Sequence, residues 1–371
     1  MPGSIVVLAP DSFKGSAAAD VAARALAAGW SDERPGDDLV LRPMADGGEG
    51  TVDAFALAVP GATRMPVTVL GPDGRDVTCE WLLLPDGTGV VELASASGLT
   101  LLDPLLPRDA HTYGFGQAIA AALDGGARRL LLAIGGSSST DGGAGALAAL
   151  GARFLDGSGR PVPLGGRGLD AVAEVDFRGL RDLPPGGASV LTDVANPLLG
   201  PLGAAAIFGP QKGASAEDVR ALDAALARLA GLLDGIDPDT PGAGAAGGAG
   251  FGLLAWGAAL TPGSAAVAAA LDLAGAIRGA DLVVTGEGAY DEQSAAGKVP
   301  HHVAAIAAAT GVPAALVAGR IGTSTEGFAQ AVSLTELAGS GERAQAEAER
   351  YLRAAGAALA RGFAIPAGNG H

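Results

Sequence analysis

Cysteine is almost missing from this chain. Cys79 stands alone among 371 residues, so no internal disulfide can form, and no second thiol exists for a redox pair or metal cluster. Positive charge is also scarce. Lys and Arg number 24 against 40 Asp and Glu, giving a net charge of -16 and a pI near 4.6, so the surface repels nucleic acid and anionic membranes. Neither is expected as a partner. The opening MPGSIVVLAPD carries no basic leader region or cleavage site before its first strand-like run, which points to a cytoplasmic protein. One stretch without charge, Pro241 to Leu271, is long enough to cross a bilayer, but it is mostly Gly and Ala and is broken by Pro262. It reads as a buried Gly-rich loop followed by a core helix.

Several catalytic signatures are absent as well. No G-x-x-x-x-G-K-[ST] occurs, because Gly297-Lys298 is followed by Val299. The chain is therefore no P-loop protein. GAGAAG, Gly242 to Gly247, matches a dinucleotide fingerprint in letters but follows DPDTP, not a strand. There is no G-x-S-x-G, and the adjacent His301 and His302 point in different directions on a helix, so neither a serine hydrolase nor a zinc pair is indicated.

Lysine is the scarcest charged residue, present only as Lys14, Lys212 and Lys298, each within a Gly-rich segment. A chain that uses Arg for generic positive charge and keeps Lys at three places marks those places. The ammonium is a compact point charge on a thin stem, whereas guanidinium is a wide planar fork.

The hydrophobic pattern gives strand, loop and helix from Ile5 to Trp30, then a short strand at Leu39 to Leu41 and a helix from Thr51 to Val59. From Val67 the Gly-containing turns GPDGR, LPDGTG and LDGSGR announce antiparallel pairing. Ser215 with Asp218 forms a capping box. Parallel-type alternation resumes at Asp281 to Thr285 and ends with a helix from Glu342 to Arg361. The expected fold is α/β with two domains: a discontinuous Rossmann-like three-layer domain at residues 1–65 and 279–371, and an inserted mixed α/β domain at 66–278.

Five acids follow predicted strands: Asp11, Asp46, Asp141, Asp193 and Glu287. In open parallel sheets ligands bind beyond the carboxyl ends of the strands, so several of these acids are expected to face one cleft. An acidic cleft that holds phosphates needs a cation, and Mg²⁺ bound by one or two carboxylates is the economical choice, with Asp193 and Glu287 as its candidates. GGSSSTDGGAG, Gly135 to Gly145, lies between a strand and a helix, which makes Ser137, Ser138, Ser139 and Asp141 candidates for phosphate contact. GEGAYDEQSAAGK gathers Glu287, Asp291, Gln293 and Lys298, offering a carboxylate to orient a hydroxyl proton and a cation for developing charge. Asp291 is the leading candidate for the first role and Lys298 for the second. FGPQKGAS contributes Gln211 and Lys212 just before the capped helix.

APDSFKGS, PMADGGEGT, DVANPL, GPQKGA, PGAGAAGG and GEGAYDEQSAAGK, in this order, resemble the motifs of the type I bacterial glycerate kinase family over nearly the full chain. The resemblance implies an enzyme that moves the γ-phosphate of ATP, with Mg²⁺, onto D-glycerate to give phosphoglycerate, 2-phosphoglycerate being favoured, in a cleft between the two domains. It also implies substrate or phosphate contacts at Asp11, Ser12, Lys14, Asp46, Gly47, Gly48, Glu49 and Asn196, and a monomer or homodimer. Thr140 and His302 depart from the family pattern. The competing expectations are a kinase for another small hydroxy acid and a catalytically silent sensor of phosphorylated metabolites. Asp291, together with the three lysines, favours the enzyme, because a sensor needs no group to activate a hydroxyl.

Overall fold

The computed structural model describes residues 3–291 and 298–363. Its strands, in chain order, are β1 (Ile5–Pro10), β2 (Asp38–Leu41), β3 (Thr63–Leu70), β4 (Asp76–Leu83), β5 (Thr88–Glu92), β6 (Arg129–Ala133), β7 (Arg153–Leu155), β8 (Glu174–Asp176), β9 (Ala188–Leu191), β10 (Ala259–Thr261), β11 (Leu282–Tyr290), β12 (Ala314–Ile321) and β13 (Gln330–Ser333). The chain divides into two compact units. One comprises the residues up to Asp46, Asp53–Pro60 and everything from Ser264 onward; the other comprises Gly47–Val52 and Gly61–Gly263.

The first unit is built on a parallel sheet in the order β13-β12-β11-β1-β2. Alternation along each strand sends residues to opposite faces, so both sets must be apolar when helices cover both sides. Val6, Leu8, Leu282, Val284, Ala315 and Val317 form one core with Trp30 and Leu352 from the helices Ala19–Glu33 and Ala348–Gly362. The intervening Val7, Val283 and Leu316 are equally buried, and the helix Val299–Thr310 packs against β11 and β12. This is the layered parallel α/β arrangement expected from the sequence.

The second unit has a six-stranded sheet in the order β10-β9-β6-β5-β4-β3, parallel from β10 to β5 and antiparallel from β5 to β3. GPDGR makes the turn between β3 and β4, where Gly74 takes a positive φ of 84° that a side chain would resist. Ser215 caps the helix Ala216–Ala230 through the expected reciprocal bonds with Asp218.

Three expectations need correction. The segment from Pro241 to Leu271 opens as the expected Gly-rich loop and buried helix, with Ala246, Gly247 and Gly248 in left-handed backbone before the regular turns that end at Ala255, but it does not stop there: strand β10 and the helix Gly263–Ala270 follow. β10 is too short to show a period of its own. The terminal helix is broken, because Ser340 caps a separate turn, Gly341–Ala346, and Glu347 leaves helical geometry at φ -120°, ψ 39° before Ala348–Gly362 begins. Glu287 does not follow its strand but lies inside it, since β11 runs on through GEGAY to Tyr290.

Candidate functional site

At the carboxyl ends of β1, β11 and β12 the first unit contains a cavity of about 410 Å³. Asp11, Asp46, Glu287 and Asp291 line it together with Lys14, Lys298 and Arg320. The backbone explains how these side chains arrive there. Asp11 leaves β1 with its N–H donated to Gly286 O at 2.8 Å, which sets it beside β11, and the following Phe13 and Ala17 pair across the tight turn around Gly15. That turn presents Lys14 outward, its Nζ 3.8 Å from Asp46 Oδ2. Two glycines let the backbones close up beneath: a Cβ on Gly319 would lie 2.3 Å from Gly288 O, and one on Gly288 would lie 3.2 Å from Lys14 N. Lys298 precedes the first turn of the Val299–Thr310 helix, where Pro300 fits because the missing N–H has no helical partner to serve.

Asp11 and Glu287 are buried, at 7% and 6% exposure, while Lys14 and Lys298 reach solvent. Burial foremost, then the negative charge of Asp46 and more weakly that of Glu287, pushes the Asp11 carboxyl up to about 8. The Ser12 N–H, 2.7 Å from Asp11 Oδ1, and the Lys14 ammonium oppose that rise. Burial, with Glu287 nearby, also raises the Tyr290 phenol. Carboxylates and cations thus face the cavity together, and a cation bound beside Asp11 would offset the cost of ionising that buried carboxyl.

The remaining candidates occupy the second unit, and most are enclosed. Lys212 is 2% exposed; its Nζ donates to Ser137 Oγ at 2.8 Å and to Ser139 O. Burial lowers its pKa to about 7, against the partial support of Asp141. Ser138 Oγ donates to Ser97 O at 2.8 Å. Asp141, fully buried, accepts from Thr112 N and Oγ1 at 2.8 and 2.9 Å, and from the N–H groups of Gly143 and Gly145 at 3.1 and 3.3 Å. The helix that follows has only six residues, Ala144–Ala149, and Thr112 Oγ1 takes the Ala146 N–H as well. Ser138 Oγ and the Gly143 and Gly145 N–H groups, among the donors expected to cradle a phosphate, are therefore used inside the protein, and Asp141 ties the loop to Thr112. Ser139 Oγ and Thr140 Oγ1 have no hydrogen-bond partner among the described residues.

Nearby, Gly47 is buried at φ 89° and its carbonyl receives the Gly135 N–H at 2.9 Å. Gly48 O accepts from Thr51, whereas Glu49 is exposed. Asp193, past the end of β9, accepts the Gly263 N–H at 2.7 Å. Asn196 donates to Leu202 O, and Gln211 is exposed. Gln293 lies outside the described residues. Arg320 is the charged cavity residue that the sequence pattern did not bring forward; it lies near the end of β12, and the rule that singled out acids after strands would have found it had it been applied to cations.

Carboxylates and cations gathered at the carboxyl ends of a parallel sheet define an α/β enzyme for small molecules. A model of the glycerate kinase family matches residues 6–364, and the chain belongs to that family. It is 44% identical to the glycerate kinase of Bacillus subtilis over 325 residues, 85% of each chain. Against the glycerate 2-kinase of Escherichia coli it is 42% identical over 328 residues, again 85% of each. A crystal structure from Salmonella typhimurium LT2, provisionally named glycerate kinase 2, superposes with a TM-score of 0.82 at 39% identity, covering 97% of this chain and 99% of that one. No helix among the described residues is long and apolar enough to cross a membrane.

Proposed function

We propose that this enzyme transfers the γ-phosphate of ATP to a hydroxyl of D-glycerate, with 2-phosphoglycerate as product, in the cytoplasm. Membership of the glycerate kinase family and the name of the Escherichia coli relative support the reaction and the position of transfer. The observation that carries it in this chain is the cavity of about 410 Å³ where four carboxylates meet two lysines and an arginine. Such a set suits phosphoryl transfer, which asks the protein mainly to position reactants and to balance charge.

Mg²⁺ fits the donor set. Among the described residues no three His, Cys, Asp or Glu side chains converge into an all-protein cage, and Mg²⁺ ordinarily takes only one or two carboxylates, keeping waters and phosphate oxygens for the rest. Glu287, with Asp11 beside it, would hold the ion, and Asp193 remains a second candidate for the same duty. When bound, Mg²⁺ supplies charge neutralisation for the phosphates. Asp291 accepts or orients the glycerate hydroxyl proton, and Lys298 meets charge that develops on the transferring group. Lys14, held near Asp46, adds a second compact cation at the cavity wall. The enclosed Ser137, Ser138, Ser139, Asp141 and Lys212 form the scaffold of the second unit.

The test is ADP release by purified protein with ATP and Mg²⁺, with and without D-glycerate, L-glycerate or tartronate, followed by NMR assignment of the product. ADP release that is indifferent to glycerate, or that persists after exhaustive EDTA treatment, overturns the proposal.

A further inference from the structure

Resting on the function proposed above, we infer that Arg320 is the residue that recognises the substrate carboxylate, so that the enzyme selects hydroxy acids over neutral polyols. β11 and β12 are parallel, with Glu287 opposite Ala318 and Ala289 opposite Arg320. Alternation therefore puts Arg320 on the same face as Glu287, one strand over and one step further toward the strand ends. Its guanidinium also lies near the proposed hydroxyl-orienting group: Arg320 Nη1 and Asp291 Cβ are 3.8 and 4.0 Å from the point where a Cβ on Gly322 would stand.

The substrate's own geometry makes that proximity meaningful. A 2-hydroxy acid carries its hydroxyl and carboxylate on adjacent carbons, so the protein groups receiving them must be neighbours too. Arg320 is exposed and lines the cavity, and its side chain forms no hydrogen bond or ion pair with any described residue, which leaves its fork available. Lys14, by contrast, is engaged with Asp46. The division of labour follows from shape. Planar guanidinium matches a planar carboxylate through two parallel hydrogen bonds, whereas a lysine offers a point charge better suited to phosphate oxygens.

The experiment compares wild type with Arg320→Gln and Arg320→Lys, using D-glycerate and its neutral amide, at saturating ATP and then at varied ATP. Removal of the fork should raise KM for glycerate on the order of 10²-fold while leaving KM for ATP within about threefold, with the lysine variant intermediate. Wild type should prefer the acid to the amide, and Arg320→Gln should lose that preference. Unchanged glycerate KM, or a rise confined to ATP, overturns the assignment. A wild type inactive with glycerate would instead defeat the parent reading; saturation-transfer NMR without nucleotide then decides Arg320 separately. The assignment survives if wild type binds a 2-hydroxy acid but not its amide and Arg320→Gln binds neither. It falls if wild type does not discriminate or the variant keeps the acid.

Discussion

In the sequence, the acidic cavity segments of the first unit and the serine-rich loop of the other unit are hard to distinguish, both being polar, Gly-rich and placed after a strand. The structure separates them by where their hydrogen bonds go. In the cavity, Lys14, Lys298 and Arg320 are exposed and Asp11 is crowded by like charge. In the loop, Lys212 and Asp141 bond almost wholly to their own chain. Polarity in a glycine-rich loop thus has two uses, meeting a ligand or replacing one as the partner of buried backbone, and only the bonding partners tell them apart.

Substitutions that hit one use and spare the other can break this contrast. The largest effect is expected for Asp291→Asn, which should lower kcat by about 10²- to 10⁴-fold with an unchanged thermal melt. Near-normal kcat would remove Asp291 from proton handling. Next, Lys298→Arg and Lys298→Met should both lose on the order of 10²-fold in kcat, more than in ATP affinity, because the charge must be compact as well as positive. Full activity in the arginine variant would show that any cation suffices.

Lys212→Met should behave in the opposite way, reporting mainly in stability. It strips donors from buried Ser137 Oγ and Ser139 O, at a cost of about 1–3 kcal/mol. The pH dependence carries a sign of its own. In the folded protein burial holds the Lys212 pKa near 7, against 10.5 for an ordinary lysine, and Asp141 is the charge set against it. Between those values the unfolded chain binds the extra proton, so this residue makes wild type gain stability as pH rises from about 7 toward 10.5. Below about 7 both states are protonated and the contribution is flat. Denaturation curves across this range should show the methionine variant losing that slope; an identical slope would mean that the ammonium is not so desolvated. The smallest effect is reserved for Ser215→Ala, which removes a reciprocal cap and should cost about 1 kcal/mol in stability without touching turnover.

Much of the first unit was legible because its signals are local and repetitive: β-branched runs, helices of regular period, and acids just past the strands. The carboxyl-end rule brought Asp11, Asp46 and Glu287 forward, and all three line the same cavity. The burial of Lys212 and Asp141 could not be read in this way, since it depends on Ser97, Thr112 and the 135–145 loop meeting across long sequence separations. Strand β10 has only three residues and owes its identity to pairing with β9. The break at Glu347 carries no Gly or Pro to announce it, and the ion pairs of Glu347 with Arg343 and Arg350 have the i,i+4 and i,i+3 spacings that an unbroken helix makes as well.

The position of β1 in its sheet has a consequence for synthesis. Val6 pairs with Leu282, and the Ile5 N–H with Asp281 across 276 residues, so this interior strand is made near the start and its partner, the central strand β11, near the end. At about 5–20 residues per second, a ribosome takes on the order of 15–55 s to deliver that partner. Through this interval the apolar run at residues 5–9 has β2 for a neighbour and nothing on its other flank. A nascent chain of this design therefore carries one unpaired apolar flank until the residues around Leu282 have been made.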